Sequence, residues 1–158
     1  MFRTIKRADR QLSDEETARI LREGEWGVLS VLGDRGYPYG VPMSYGYANG
    51  KIYLHSTPEQ SHKLDAIRKE PKVCFTVVTE HTLLPESYSV RYRSAIVFGT
   101  ARILETAEEK QSAMVWMMTG LAPEALDRAR DHCVRESDSY AMIEITPEHV
   151  TGKANGRK

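Results

Sequence analysis

The apolar positions of the chain switch between two periods, and the switches mark its elements. Ala18, Ile20 and Leu21 recur at roughly helical spacing behind Ser13-Asp14-Glu15-Glu16. That tetrapeptide reads as a capping box, in which the Ser13 hydroxyl accepts an amide N–H of the first turn and Glu16 reaches back to the Ser13 N–H. Gly24 offers a left-handed stop. From Trp26 the pattern becomes extended. Trp26–Leu32 reads as a strand, and Gly33-Asp34-Arg35-Gly36 as a turn of residues that tolerate positive φ. Tyr37–Tyr47 resumes an extended chain, but Pro38 and Pro42 deny it a regular ladder and predict a bulged or edge position. Asn49-Gly50 is a strong hairpin signal and leads into a strand over Lys51–Ser56. Together these segments predict an antiparallel meander.

Thr57-Pro58-Glu59-Gln60 carries a second capping-box pattern with proline at the first helical position. It predicts a short helix to about Glu70 with Leu64 and Ile67 inward. Lys72–Val78 is nearly all apolar and predicts a strand covered on both faces, followed by a polar loop over 79–90. Arg91–Leu104 reads as a long strand with Tyr92, Ser94, Ile96 and Phe98 on one face. Thr106-Ala107-Glu108-Glu109 opens a helix that buries Met114, Met117, Met118 and Leu121, with Trp116 plugging the seam between helix and barrel. Glu105, Glu108 and Glu109 sit where a helix start favours negative charge. Pro123 starts a further helix towards Cys133; Tyr140–Ile145 is the last strand, followed by Val150–Lys153 and a polar tail. The expected fold is mainly β with flanking helices, an antiparallel β-barrel with helices at its rim. It forms a single domain over 1–158, with a polar arm over about 1–12 and a polar tail over about 152–158.

Charge narrows the function. The 158 residues carry 22 Lys+Arg against 22 Asp+Glu, so the chain lacks the basic surplus of a nucleic-acid binder. The basic arm from Arg3 to Arg10 has too few charges to change that expectation. No apolar run approaches the roughly 20 residues of a membrane span, and no secretory signal follows the basic start. Cys74 and Cys133 lie far apart and read as thiols of a reducing compartment, so a cytoplasmic protein without nucleic-acid or membrane partners is expected.

Nucleotide fingerprints and the nucleophile elbow are missing from the sequence. No metal site is expected: His55 and His62 straddle a strand–helix junction, His132-Cys133 are adjacent, and neither C-x-x-C nor H-E-x-x-H occurs. The stretch His55-Ser56-Thr57-Pro58-Glu59-Gln60-Ser61-His62-Lys63 is more informative. It gathers hydroxyls, two imidazoles and an ammonium about a helix N-terminus, where unpaired amides favour an anion such as a phosphate monoester. Ser and Thr also cap helices that bind nothing, so both readings stand on these residues alone. In Pro38–Tyr45 the prolines either free backbone groups for a flat, polar-edged ligand or simply protect an edge strand, with Tyr39 and Tyr45 as half-buried aromatics.

These segments, in this order, resemble the pyridoxamine 5'-phosphate oxidase-like flavoproteins, and most closely their 5-nitroimidazole-resistance (nitroimidazole reductase) branch. The resemblance is carried by Gly36–Tyr45, Ile52–Ser56, His62–Ile67, Pro71–Phe75, Tyr92–Gly99 and Thr151-Gly152-Lys153. It implies an FMN-binding split β-barrel working as a homodimer, with flavins at the subunit interface. It further implies that Val41, Pro42, Met43, Ser44 and Tyr45 line the isoalloxazine through their backbone. His55 and Ser56 would lie beside the flavin and its phosphate tail, His62 with Lys63 would hold the phosphate, and Ser94 would act from the partner subunit. Ser61 departs from the glycine common in relatives, and its side chain narrows the approach of a phosphate to the backbone. The implied activity is reduction of a nitro-aromatic or related small-molecule acceptor, with NADH or NADPH as electron source and His55 nearest the acceptor. The alternative within the same fold is a flavin- or haem-binding protein without turnover. A true pyridoxamine phosphate oxidase is disfavoured by the short chain and the lack of a second basic set for a substrate phosphate.

Overall fold

The computed structural model describes residues 1–58, 61–128 and 139–156. Its strands are β1 (Trp26–Leu32), β2 (Pro38–Ala48), β3 (Lys51–Ser56), β4 (Lys72–Leu84), β5 (Ser89–Ile103) and β6 (Ala141–Asn155). They close a barrel in the order β1-β2-β3-β6-β5-β4, every pairing antiparallel. Helices α1 (Asp14–Glu23), α2 (His62–Lys69) and α3 (Ala107–Leu121) flank it, which is the fold class expected from the sequence pattern. Among the described residues no helix is long and apolar enough to cross a membrane.

Local signals act where their partners lie within one turn. Ser13 and Thr106 both close complete capping boxes, with Glu16 and Glu109. Asn49 and Gly50 take φ of 51° and 71° in the β2–β3 turn, as a two-residue hairpin loop requires. Ala113, Met114 and Met117 are buried under α3, and Met118 and Leu121 pack partly against the same cluster. The main core fills the barrel with Leu29, Ile52, Leu54, Phe75, Val97, Ile143 and Ile145, closed from outside by Ile20 and Leu21 of α1 and Leu64 and Ile67 of α2.

Several expectations are corrected. Gly24 ends α1 with φ −77° and ψ 139°, so it is no left-handed stop. It is glycine for room: a Cβ there would stand 2.5 Å from the Tyr45 hydroxyl and 2.6 Å from Val77 Cγ1. Helix α2 begins at His62 rather than at Pro58, with Ser61 as its N-cap accepting the Leu64 N–H at 3.4 Å. Glu59 and Gln60 lie outside the described residues. The expected loop over 79–90 is instead ladder, because β4 runs to Leu84 and pairs with β5 beyond a register shift at Val78/Glu80. Nor is Lys72–Val78 covered on both faces: Val73, Phe75 and Val77 are buried, while Cys74 and Thr76 are half-buried and Val78 is exposed. The last strand continues through the expected break to Asn155, so 152–155 belong to β6 rather than a tail. The arm is tied down at its end by the buried Leu12, whose N–H donates to the Gly152 carbonyl. Trp116 does not plug a seam; it stands 42% exposed. Beyond the single turn Pro123–Ala125, the helix expected towards Cys133, with His132, lies largely outside the described residues.

Candidate functional site

Strand β2 is paired unequally on its two sides. Along β1 its register is unbroken from Pro38 to Ser44, so the prolines cause no bulge there. Along β3 only the four pairs from Tyr45↔Leu54 to Ala48↔Lys51 form. Beyond them the two strands part, and the outer edge of Pro38–Ser44 has no strand beside it among the described residues. The edge expected from the prolines is therefore present. Backbone groups of an antiparallel strand alternate between its two sides, so half of those in Val41–Ser44 face this opening.

The opposite wall is the end of β3. His55 and Ser56 are neighbours in an extended chain and therefore face opposite ways. Ser56 points inward with Ile52 and Leu54 and is only 5% exposed, and its hydroxyl makes no hydrogen bond among the described residues. A buried hydroxyl without a partner is costly unless something supplies one. His55 is exposed on the other face, its ring 5.7 Å from that of Tyr140.

The start of α2 closes the slot. The chain leaves β3 at Ser56 and by His62 has crossed to the far half of β2, where the His62 and Tyr39 rings stack at 4.2 Å and 15°. Ser61 spends its oxygen on the Leu64 N–H, which leaves the earlier amides of the turn to face outward. Lys63 is half-buried and forms no ion pair among the described residues, unlike Lys51, Arg68 and Lys69. The opening is thus bordered by backbone polar groups of β2 on one side and by the end of β3 on the other, with the first turn of α2, which carries Lys63, where the chain crosses between them. It suits a flat molecule with an anionic tail.

Two of the expected residues keep their side chains away from this opening, Tyr45 having been expected there only through its backbone and Ser94 from the partner subunit. The Tyr45 side chain is in the core, 1% exposed, donating to the Leu21 carbonyl at 2.8 Å, with its ring edge-on to Phe75 at 5.0 Å. Its own N–H donates to the Glu25 carbonyl at 3.3 Å, and burial drives its phenol well above the ordinary range. Ser94 lies on the outer face of β5, between Val78 and Lys153. From β2 that is three strand spacings, about 14 Å. Sequence reasoning missed Asp34, whose backbone N–H donates to His62 Nε2 at 3.1 Å, and the stack of the half-buried Tyr39 on His62. Nothing local signals either contact, since both depend on where the barrel brings α2.

The outer face carrying Ser94 is largely apolar. Val28, Thr76 and Ile96 form one cross-strand row, and Ser30, Cys74, Phe98 and His149 the next. Trp26, Val78 and Phe98 are 54%, 41% and 40% exposed there. Burial pushes the Cys74 thiol up, partly offset by its contact with Thr76. No group of three or more His, Cys, Asp or Glu among the described residues is placed to hold a metal ion.

The sequence model of the pyridoxamine 5'-phosphate oxidase family matches residues 13–154. The chain belongs to that family. Among solved structures, a candidate 5-nitroimidazole antibiotic resistance protein from Bacteroides thetaiotaomicron is similar over 91% of this chain and 86% of its own, at 26% identity and a TM-score of 0.76. An FAD-binding protein from Mesorhizobium loti matches over 93% and 98%, at 24% identity and a TM-score of 0.70. A flavocytochrome from Azotobacter vinelandii matches over 98% and 73%, at 16% identity and a TM-score of 0.80. At such identities the last two share the family's fold, and nothing finer follows from them. No curated protein matches the chain.

Proposed function

We propose that the protein is a flavin-dependent oxidoreductase that holds FMN in the slot between β2 and β3. In this reading it passes electrons from NADH or NADPH to a small acceptor of the nitro-aromatic, 5-nitroimidazole type. The observation that carries the reading is Ser56: a buried hydroxyl without a partner among the described residues, in the strand end bordering a slot, with Lys63, which has no ion pair among them, at the start of α2. The B. thetaiotaomicron relative is a candidate 5-nitroimidazole antibiotic resistance protein, which supports the nitroimidazole class of acceptor.

Backbone groups of Val41–Ser44 would meet the polar edge of the isoalloxazine, and Ser56 and Lys63 would take its ribityl and phosphate tail. The bound flavin supplies hydride acceptance and electron transfer; the chain orients it and excludes water. His55, exposed at the strand end beside Tyr140, is positioned to offer an N–H to the acceptor as charge builds on a nitro oxygen. The apolar outer face supports a homodimer, since a contiguous exposed apolar patch marks an interaction surface. Ser94 then acts on the flavin of the second copy.

Reconstitution with FMN tests the reading. The expected result is a yellow protein that bleaches with NADH or NADPH and recovers colour with a 5-nitroimidazole. Protein that takes up no flavin overturns the proposal, and flavin that binds but is not reduced makes this a binding protein of the same fold. Ser56→Ala sharpens the test because its two effects have opposite signs. Removing an unpartnered buried hydroxyl leaves the flavin-free protein as stable or slightly more stable, while FMN affinity falls by about two- to tenfold, the worth of one neutral hydrogen bond. Thermal melts and flavin titration read the two separately.

A further inference from the structure

We infer that His62 acts on the proposed flavin site at one remove, as a positioning residue that ties the start of α2 to the β1–β2 turn. The inference rests on the FMN reading above, but revises the role of this imidazole within it. Nε2 of His62 accepts the Asp34 backbone N–H at 3.1 Å, so that nitrogen is engaged with the turn rather than with a ligand. One face of the ring is covered by Tyr39 at 4.2 Å. The turn it grips is held in an uncommon backbone conformation, with Arg35 at φ 58° and Gly36 at φ 78°. Gly33 leaves room for the ring: a Cβ there would stand 3.1 Å from Nε2. A second tie runs parallel, because Lys69 Nζ from the last turn of α2 lies 3.6 Å from Asp34 Oδ1. Asp34 is thus held from both ends of the helix, its backbone N–H by His62 and its carboxylate by Lys69.

These contacts fix the direction in which the first turn of α2 presents its amides and Lys63. The residue beside a ligand is then Lys63, and His62 sets where Lys63 stands. Tyr39, on β2, carries the same constraint to the strand edge that lines the slot. A stack and a hydrogen bond of this kind convert into modest effects on a ligand held next door.

The test is a double-mutant cycle on His62→Ala and Tyr39→Leu in the full chain, with Tyr39→Phe as the conservative variant. Affinities for FMN and for riboflavin, which lacks the phosphate, are measured by fluorescence titration, and amide exchange at Asp34 and in the first turn of α2 is followed without flavin. Each single variant is expected to weaken FMN about two- to tenfold and to leave riboflavin unchanged. The double variant is expected to be no worse than the weaker single, as coupled neighbours behave. Tyr39→Phe keeps the stack and the affinity, and both disruptive variants speed exchange at Asp34. Loss of FMN affinity in His62→Ala with none in Tyr39→Leu, or losses that multiply, would overturn the inference in favour of direct contact with phosphate. Wild-type protein that binds no flavin overturns the functional reading itself, and the positioning role with it, whatever the exchange data show.

Discussion

Replacing Lys63 with alanine is expected to raise the Kd for FMN by about 10- to 150-fold, the loss of one charge-assisted contact worth ~1.5–3 kcal/mol. The size follows from what surrounds this ammonium. It is half-buried at the start of α2 and has no carboxylate partner among the described residues. A bound phosphate therefore does not have to compete with an existing ion pair, and the helix amides beside it add to the same field. Lys63→Arg keeps the charge and is expected to retain most of the affinity. Riboflavin is expected to bind wild type and Lys63→Ala alike. The difference between wild type and variant shrinks at high ionic strength, because a partly exposed charge is screened. Isothermal titration at low and high salt checks all three statements. Unchanged FMN affinity would place the phosphate elsewhere.

How far the site could be read in advance depends on the range of the interactions that build it. The open edge of β2 was legible because Pro38 and Pro42 act through their own missing N–H groups. The hairpin at Asn49-Gly50 and the caps at Ser13 and Thr106 were legible for the same reason. The Thr57 box misled because two candidate caps compete within a few residues, and a local pattern cannot say which wins. The helix that starts after Ser61 places Leu64 and Ile67 in the barrel core, fully or almost fully buried, the same inward face that the earlier cap would have given. The ribbon over Glu80–Leu84 read as loop because strands that leave the barrel need not bury either face, and here most positions are exposed. Polarity then reports exposure, not the absence of a ladder.

The outer face shows the converse. Val78, Phe98 and Trp26 are apolar and yet exposed in the single chain, so a run such as Lys72–Val78 looks like a strand buried on both sides. The homodimer, as proposed, would supply the missing cover, and the sequence pattern would then reflect the assembly rather than the protomer. His62 and Tyr39 were beyond any local signal. Their contact exists only because β2 and β3 diverge and the chain crosses between them.

Tyr45→Phe is expected to destabilise the fold by about 1–3 kcal/mol, the cost of a buried acceptor left without its donor. For a chain of this size that lowers Tm by about 2–12 °C. Leu21 is in the last turn of α1, where carbonyls lack intrahelical partners. Gly24 donates to the Ile20 carbonyl, and the Tyr45 hydroxyl takes the Leu21 carbonyl at 2.8 Å. Water cannot replace it, since Leu21 and Tyr45 are each 1% exposed and Phe75 and Val77 pack close by. Phenylalanine preserves the edge-on contact with Phe75, so the loss isolates the hydroxyl. The affinity of the folded variant for FMN is expected to match wild type, because the side chain faces the core and the strand backbone is unchanged. Chemical denaturation and flavin titration on the same preparation separate the two effects. A variant with intact stability and weakened flavin would instead make Tyr45 a contact residue of the ring, and the slot would have to be redrawn to include its side chain.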